Sequence, residues 1–396
     1  MKLIYVANIR LPTEKAHGLQ IVQNCEAFAG AGAEVTLWIT RRLNTPELSK
    51  IRDLWAHYGV KRNFTVSRLP CLDLIWLVPD RADRLAQAVF WLQLWTFALA
   101  ALLRAAFTQA DCFYSRDDFV LLMLSLIKPG KTLVYEAHTL GQGKISRAMQ
   151  KRVVTRVGHV IAVTGRLRDD LIALGASPDR VLVAHDGIRR ERFAAMPDQQ
   201  AARQTIDWPE ETFIVGYVGR LQTMNMDKGV GLLVEALAQV GDCALALVGG
   251  PDDTAQEFRQ RWLDLGQDAS RFLYTGQVAP ERVPLYLRAF DVCAMPFPWT
   301  THFAYYASPI KLFEYMASRR ALIASDLPSI AEVVTNGDSA LLVPPSDVAA
   351  LAAALRQLRE DAALRQRLAD TAYQIVMDGY TWEARAKKIL KVLSNE

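Results

Sequence analysis

Short apolar runs alternate with helix-like segments along the first half of the chain. The runs have the length of buried strands and lie at residues 2–8, 34–40, 111–116, 132–138, 159–164 and 180–188. Between them, the segment from His17 to Ala31 places apolar residues at helical spacing, and another helix runs to Leu174. Strands separated by helices predict a parallel sheet covered on both faces.

A second alternation follows, with strand-like runs at 213–220, 243–250, 271–278, 291–297, 321–326 and 340–345. We therefore predict an α/β fold of two Rossmann-like domains, whose parallel sheets face each other across a cleft that binds the ligand. The predicted parts are an N-terminal domain at 1–188, a charged interdomain linker at 189–211, a C-terminal domain at 212–379, and a C-terminal helix at 380–396 that packs back across the junction.

Composition narrows the class of protein. Of the 396 residues, 51% are hydrophobic and 22% are charged, which is typical of a folded globular chain. The net charge of +4 does not favour nucleic-acid binding. The five scattered cysteines are expected to be reduced core residues, and no cysteine or histidine cluster indicates a metal site. With a strand expected from residue 2 and no signal peptide, we expect a cytoplasmic location.

The segment 88–107 is the most apolar of the chain. Its uncharged part, Ala88 to Leu103, is about 16 residues long, short of the roughly 20 that a spanning helix needs. Gln93, Thr96 and Arg104 fall on one helical stripe. We interpret the segment as a buried core helix; the alternative is an interfacial helix that touches lipid.

The stretch "SPIKLFEYMASRRALIASD", 308–326, predicts a helix followed by a buried strand. Ser308 can cap the helix, and Pro309 suits its first position. The free N–H groups after Ser308, the helix dipole and Lys311 together predict an anion site. Glu314 lies one to two turns further, where its carboxylate can accept hydrogen bonds from a diol; the alternative is a salt bridge to Arg220 or Lys228.

Three further features follow predicted strands. Gly18 begins a helix where backbone N–H groups can approach a phosphate, although such a loop can also be an ordinary turn. His138 ends a strand, where it binds a ligand or packs structurally. Arg220 and Lys228, eight residues apart, can neutralise a diphosphate without a metal, or form a solvated surface pair.

A basic segment at 144–156 carries five cations and no acid. One interpretation is a solvated helix face with no binding role. The alternative is a surface for anionic lipid head groups or a pyrophosphate-linked acceptor, formed by Lys144, Arg147, Lys151, Arg152 and Arg156.

Eight pieces of the sequence together resemble glycosyltransferase family 4, a family of retaining enzymes with the GT-B fold of two facing Rossmann-like domains. They are "KAHGLQIVQNCEAFAGAGAEVTL", "VYEAHTLG", "HDGIRRERF", "YVGRLQTMNMDKG", "VGG", "TGQV", "SPIKLFEYMASRRALIASDLPSIAEVV" and "YTWEARAKKIL". The pieces span nearly the whole chain; only 41–110 lacks a counterpart.

The resemblance implies a role for each matching position. His138 would lie beside the sugar and the reacting centre, and Arg220 and Lys228 would stabilise the leaving diphosphate. The other implied positions would bind the donor: Gly18 at its phosphates, Val278 at the nucleobase through the backbone, and Glu314 at the ribose. From the anion site described above, Ser308, Pro309, Ile310 and Lys311 are also expected to bind the donor.

The sequence departs from the family pattern at one position. Glu314 resembles the second glutamate of an E-x7-E motif, but Tyr306 stands where the first glutamate is expected. That glutamate contacts sugar hydroxyls in the common form, so the donor sugar is not specified. Tyr306, Ser308 or Lys311 can substitute for it.

The predicted function is sugar transfer with retention from a nucleoside diphosphate sugar to a glycan, glycolipid or lipid-linked acceptor. Neither a cofactor nor a metal is expected, since no Asp-x-Asp motif is present. An anionic membrane surface is a further expected partner, at the inner face of the cell membrane. The alternatives are a nucleotide-sugar 2-epimerase and a non-catalytic nucleotide-sugar-binding protein.

Overall fold

The computed structural model describes residues 1–13, 15–78, 84–223 and 226–394. It divides into two compact units, each built on a parallel sheet. The first unit comprises Met1–His185 with Trp382–Glu396, and the second comprises Asp186–Thr381.

The first unit contains a seven-stranded parallel sheet in the order β3-β2-β1-β4-β5-β6-β7. In the register of the sheet, Tyr5 lies opposite Leu37 on one side and Tyr114 on the other. The strands are β1 (Lys2–Ala7), β2 (Glu34–Thr40), β3 (Thr65–Leu69), β4 (Cys112–Ser115), β5 (Leu133–Ala137), β6 (His159–Ala162) and β7 (Val181–Val183).

In the described part of this unit, the α-helices that connect these strands are α1 (Ala16–Gly30), α2 (Pro46–Ser49), α3 (Leu54–Tyr58), α4 (Arg84–Ala106), α5 (Asp118–Leu124), α6 (Gly143–Val154) and α7 (Gly165–Leu174). Helices α4, α5, α6 and α7 contact one another in that order, so they form one row along the sheet. The basic helix α6 and the apolar helix α4 are therefore separated only by the short helix α5.

The second unit has the strand order β12-β11-β8-β13-β14-β15, in which the direction of succession reverses beside β8, as in a doubly wound fold. A two-stranded antiparallel hairpin, β9–β10, follows β8. The strands are β8 (Phe213–Val218), β9 (Gln222–Thr223), β10 (Met226–Asp227), β11 (Cys243–Val248), β12 (Phe272–Tyr274), β13 (Val292–Met295), β14 (Ala321–Ser325) and β15 (Leu341–Val343).

The segment predicted as a charged linker, 189–211, differs from that expectation. It contains two helices and belongs to the second unit. Its Arg203 is almost completely buried and pairs with Asp291 at 2.7 Å. The charged residues that indicated a solvated linker therefore include one, Arg203, that forms a buried ion pair inside the second unit.

The helices of the second unit are α8 (Glu191–Ala194), α9 (Gln199–Thr205), α10 (Val230–Val240), α11 (Asp252–Asp264), α12 (Val283–Ala289), α13 (Ile310–Ala317), α14 (Pro328–Ala331), α15 (Val348–Glu360) and α16 (Ala362–Gly379). The last helix, α17 (Trp382–Ser394), returns to the first unit and contacts α1. Arg385 of α17 is buried there.

Helix α4 differs from the predicted buried core helix. It has 23 residues, so it is long and apolar enough to cross a membrane by length and composition, and the described residues contain no other helix that meets this test. Only 28% of its most apolar stretch is buried. The uncharged run Ala88–Leu103 underestimated its length, because the helix begins four residues earlier, at Arg84, and continues past the charged Arg104 to Ala106.

Candidate functional site

Two of the predicted cations come together at the carboxyl end of β8. Arg220 lies two residues beyond the end of the strand, and the β9–β10 hairpin then turns the chain back. The backbone N–H of Lys228 consequently donates to the carbonyl oxygen of Leu221 at 3.2 Å. Burial, and then the charge of Arg220, lower the pKa of Lys228. The two cations are close enough to repel each other.

Lys311 adds a third cation to this group. Its Nζ lies 3.6 Å from the centroid of the Tyr217 ring, and a Cβ placed on Gly219 would be 3.0 Å from it. Gly219 has φ +115°, so both its conformation and this close approach require glycine. Within the described part of the chain, Nζ is buried without a hydrogen-bond partner. Burial, and then the charge of Lys228, hold the pKa of Lys311 well below its usual value.

The N-terminal end of helix α13 differs from the sequence prediction. Helix α13 begins at Ile310, and Pro309 occupies the N-cap position without a side-chain cap. Ser308 does not cap the helix, because its Oγ accepts a hydrogen bond from the backbone N–H of Asp186 at 2.9 Å. The preceding turn, His302–Tyr306, is π-helical. Burial, and then the charge of Lys228, lower the pKa of His302, so this turn lies beside the cations.

Glu314 forms a salt bridge, but not to either predicted partner. Its Oε1 lies 3.3 Å from Nη1 of Arg192. Burial raises the pKa of Glu314, and the charges of Arg192 and Lys311 oppose that rise. The guanidinium of Arg192 also donates to the carbonyl oxygen of Pro280. Because Pro280 is two residues beyond Val278, Arg192 connects the predicted ribose and nucleobase positions.

His138 in the first unit is held by a buried carboxylate. Its Nε2 lies 2.6 Å from Oε1 of Glu136, which is fully buried at the end of β5. Glu136 is 2.7 Å from Arg116 and 3.2 Å from Arg385, and it accepts further hydrogen bonds from Tyr114 and Asn24. Burial alone would raise the pKa of Glu136, but the two guanidinium groups and His138 hold it well below its usual range.

An ionised Glu136 fixes the orientation of the imidazole. In neutral His138 the Nε2–H donates to the carboxylate, which leaves Nδ1 as a hydrogen-bond acceptor. The ring is 30% exposed and lines a cavity of about 480 Å³ that also includes His17, Asp117 and Asp118. Burial raises the pKa of Asp117 to about 6. This cavity lies at the ends of β1, β4 and β5, the expected ligand position in a doubly wound sheet.

Two further predicted features are Gly18 and the basic segment at 144–156. A Cβ on Gly18 would lie 2.3 Å from Cγ2 of Thr13, so packing already requires glycine there. The basic segment at 144–156 lies mostly in α6, with Arg156 just beyond the helix, and its five cations are exposed. In the part of the chain that the structure describes, none of them has an ion pair: Lys144, Arg147, Lys151, Arg152 and Arg156.

Among residues 1–13, 15–78, 84–223 and 226–394, no group of His, Cys, Asp or Glu is arranged to hold a metal ion.

Family models match both units. Residues 19–192 match the model described as Glycosyltransferase Family 4, and residues 212–361 match Glycosyl transferases group 1. The chain belongs to glycosyltransferase family 4. The two parallel sheets and the solved structures similar to it confirm the GT-B fold.

Curated relatives and a solved structure are similar to this chain. A D-inositol 3-phosphate glycosyltransferase from Kribbella flavida is 27% identical over 61% of this chain and 57% of its own length. A phosphatidyl-myo-inositol mannosyltransferase from Mycolicibacterium smegmatis is 31% identical over 47% of this chain and 46% of its own length. The structure of Anabaena HepE in complex with UDP has a TM-score of 0.72 and 19% identity, with both chains fully covered. The match thus spans little more than half the length of these curated relatives.

Within this family 4 chain, the structure brings Arg220, Lys228 and Lys311 together, and it places Glu314 on the same helix as Lys311. Sequence reasoning missed Arg192 and Glu136, although both lie in the quoted pieces "HDGIRRERF" and "VYEAHTLG". A carboxylate two residues before His138, on the same face of a strand, was the available signal for Glu136.

Proposed function

We propose that this chain is a retaining glycosyltransferase that moves a sugar from a nucleoside diphosphate sugar to a glycan, glycolipid or lipid-linked acceptor. The observation that carries the proposal is the group formed by Arg220, Lys228 and Lys311. These cations repel one another, and the Nζ of Lys311 is buried without a hydrogen-bond partner among the described residues. A diphosphate would relieve the repulsion and supply the missing acceptor.

The proposed reaction breaks the bond between the sugar C1 and the oxygen of the β-phosphate. The electron pair leaves with the diphosphate, and fixed cations that stabilise this charge lower the barrier by about 3 kcal/mol each. The acceptor hydroxyl attacks C1 from the same face, and its proton passes to the departing phosphate oxygen. Metal and cofactor are not needed in this scheme, because Arg220, Lys228, Lys311 and the N–H groups at Ser308–Lys311 stabilise the charge.

Glu314 and Val278 would hold the nucleoside. The carboxylate accepts from the ribose hydroxyls, and backbone groups at Val278 bind the base. The contacts of Arg192 with Glu314 and the Pro280 carbonyl support this placement. Since HepE was solved with UDP, uridine diphosphate is the first nucleotide to test. With Tyr306 in place of a glutamate, Tyr306, Ser308, Pro309 and Ile310 would contact the sugar and its phosphate.

The acceptor would bind the first unit, where His138 with its free Nδ1 would lie beside the reacting hydroxyl. Gly18 would face the donor phosphates. The exposed cations of α6 support association with an anionic membrane, so we place the protein in the cytoplasm at the inner face of the cell membrane. Sedimentation with anionic vesicles tests this location, and no binding at low ionic strength would contradict it.

The decisive test is turnover of candidate nucleotide sugars by Arg220→Ala and Lys228→Ala variants. Each should lose about 100-fold or more in kcat, since each removes a group that stabilises charge only as the bond breaks. Lys391→Ala, an exposed lysine of α17, is the matched control and should retain full activity. If either site variant keeps wild-type turnover, the assignment is wrong.

Asp117 and Asp118 support a second candidate, the nucleotide-sugar 2-epimerase, because such an enzyme needs carboxylates beside the sugar. Product analysis without acceptor separates the two. An epimerase changes the configuration at C2, whereas a transferase releases free sugar slowly by hydrolysis. A protein that binds the nucleotide sugar and does neither would be a non-catalytic binder.

A further inference from the structure

Helix α4 exposes a second apolar face in addition to the one that it buries. The buried face packs on the first unit through Gln93, Leu94, Phe97, Ala98, Ala101 and Ala105. On the outward side, large apolar residues recur at helical spacing at Leu85, Leu92, Trp95, Leu99 and Leu103. A surface helix normally places polar residues there. The outward stripe is therefore a feature that folding of this unit does not explain.

The apolar surface continues beyond the helix at both ends. The backbone N–H of Leu72 donates to Oγ1 of Thr96 at 3.0 Å, which places the segment containing the exposed Trp76 and Leu77 along α4. At the other end, Nζ of Lys128 donates to the carbonyl oxygen of Thr108 at 2.9 Å. This contact brings the exposed Leu126 and Ile127 beside Phe107, which is 93% exposed.

A cavity of about 520 Å³ opens at the N-terminal end of α4, and its lining is divided by polarity. The lining residues between 75 and 91, here called the apolar wall, are Ile75, Val78, Ala86, Val89, Phe90 and Trp91, with Gln87 as the one polar member of that stretch. The lining residues between 8 and 42, here called the cationic wall, include Arg10, Lys15, His17 and Arg42, the last paired with Asp73 at 3.3 Å. A ligand that fits such a lining has an anionic end and a hydrocarbon chain.

Charge and composition favour a lipid surface over a second protein chain. The exposed tryptophans Trp76, Trp91 and Trp95 suit the boundary between water and hydrocarbon. Helix α6, two places along the same row, and Arg156 just after it present five exposed cations that complement anionic head groups. The buried face of α4 packs on its own unit, so the helix can lie in the membrane surface but cannot cross it without unpacking.

We infer that the outward face of α4 inserts into the membrane interface, and that the cavity at its N-terminal end receives the phosphate and first carbons of a lipid-linked acceptor. The phosphate meets the cationic wall, and the hydrocarbon chain leaves along the apolar wall into the bilayer. The inference rests on the proposed function only for the acceptor role of that lipid. Insertion and lipid binding are measured without a donor.

Insertion is tested with vesicles of phosphatidylcholine alone and of phosphatidylcholine mixed with phosphatidylglycerol. Leu92→Glu and Leu99→Glu should each weaken binding to the anionic vesicles about tenfold or more, because each puts a charge where a large apolar side chain inserts. Leu265→Glu, an exposed leucine of the second unit, is the matched control and should bind as wild type does. Circular dichroism checks that all three variants fold.

Two results would overturn the insertion. One is unchanged vesicle binding by Leu92→Glu and Leu99→Glu. The other is a wild-type dimer, detected by sedimentation, that these substitutions dissociate, since the stripe would then be an interface between copies of this chain.

The cavity is tested with a water-soluble short-chain prenyl phosphate. Ala86→Trp should abolish its binding by filling the cavity, whereas Ala88→Trp, an exposed position of α4 outside the lining, should not. The matching prenyl alcohol and inorganic phosphate should each bind at least about tenfold more weakly, because each meets only one wall. Equal binding of inorganic phosphate, or wild-type binding by Ala86→Trp, would contradict the cavity assignment.

The proposed function and the lipid inference can be refuted independently of each other. If wild type hydrolyses a nucleotide sugar but binds neither the prenyl phosphate nor vesicles, the lipid inference is wrong and the transferase remains. If it binds both but turns over no nucleotide sugar, the proposed function is wrong while the lipid surface remains.

Discussion

Replacing Lys311 by methionine should stabilise the ligand-free protein. Leaving a buried charged donor unpaired costs roughly 3 kcal/mol or more, and the Lys311 cation has a ring contact with Tyr217 at 3.6 Å as compensation. A cation–π contact at such a site returns about 2 kcal/mol, and a methionine sulfur on the same ring returns up to about 1.5 kcal/mol. The net gain is about 1–2.5 kcal/mol, or roughly 2–10 °C in Tm for a unit of this size.

The gain should depend on pH in a defined direction. Burial and the charge of Lys228 depress the pKa of Lys311 in the folded state, so the unfolded chain holds the proton more tightly. Wild-type stability therefore rises with pH between the depressed pKa and the ordinary value of 10.5, where the unfolded lysine also loses its proton. The advantage of methionine is full below the depressed pKa and shrinks as the pH approaches 10.5.

The same substitution should weaken nucleoside diphosphate binding, because it removes a charge-assisted contact of about 1.5–3 kcal/mol, or roughly 10–150-fold in Kd. Thermal unfolding with and without ligand, at pH 7 and near pH 10, measures both effects. Lys391→Met, at an exposed position, controls for loss of a lysine and should change neither quantity. A Lys311→Met protein that is less stable without ligand, or that binds the diphosphate as wild type does, would refute the reasoning.

Three further predictions concern Glu136, Glu314 and the metal-independent scheme. Glu136→Gln should cost about 3–5 kcal/mol at pH 7 by leaving Arg116 and Arg385 without their carboxylate; because the folded pKa of Glu136 is depressed, this difference in the free energy of unfolding should shrink as the pH falls below 4.5. Glu314→Gln should weaken binding of a ribonucleoside diphosphate about tenfold while leaving inorganic pyrophosphate unaffected, which calorimetry with both ligands measures. Addition of EDTA should leave the rate of transfer unchanged, and a loss that Mg²⁺ restores would contradict the metal-independent scheme.

Most strands were predictable because buried parallel strands are near-continuous apolar runs. Strand β3 was missed for the opposite reason: it lies at the sheet edge, and its sequence TVSRL is half polar. The β9–β10 hairpin was missed because each strand has only two residues. The extent of each strand was overestimated where an apolar run continues into the following loop, as in 271–278 against Phe272–Tyr274.

The candidate site was predictable as residue types, but not as contacts. Arg220, Lys228 and Lys311 follow strand and helix patterns that the sequence displays, so their shared position follows from the doubly wound topology. The partner of Glu314 could not be found in this way, because Arg192 lies 122 residues earlier and only tertiary packing brings it near. The same holds for Arg203, whose pairing with Asp291 made a charged segment part of the second unit.

Buried charge is balanced in the first unit but not in the second, and this difference indicates where an anion would bind. In the first unit, two arginines, an asparagine, a tyrosine and His138 surround Glu136, so its charge is already balanced. In the second unit, Lys311 is buried beside Lys228, and the nearby carboxylate of Glu314 is already paired with Arg192. A glutamate at 306 would have added a negative charge to the stretch leading into α13, but the chain has Tyr306. The surplus positive charge is unfavourable until an anion binds. Under the proposed function the diphosphate would therefore bind the second unit, and its affinity should depend on Lys311 more than on any residue around His138.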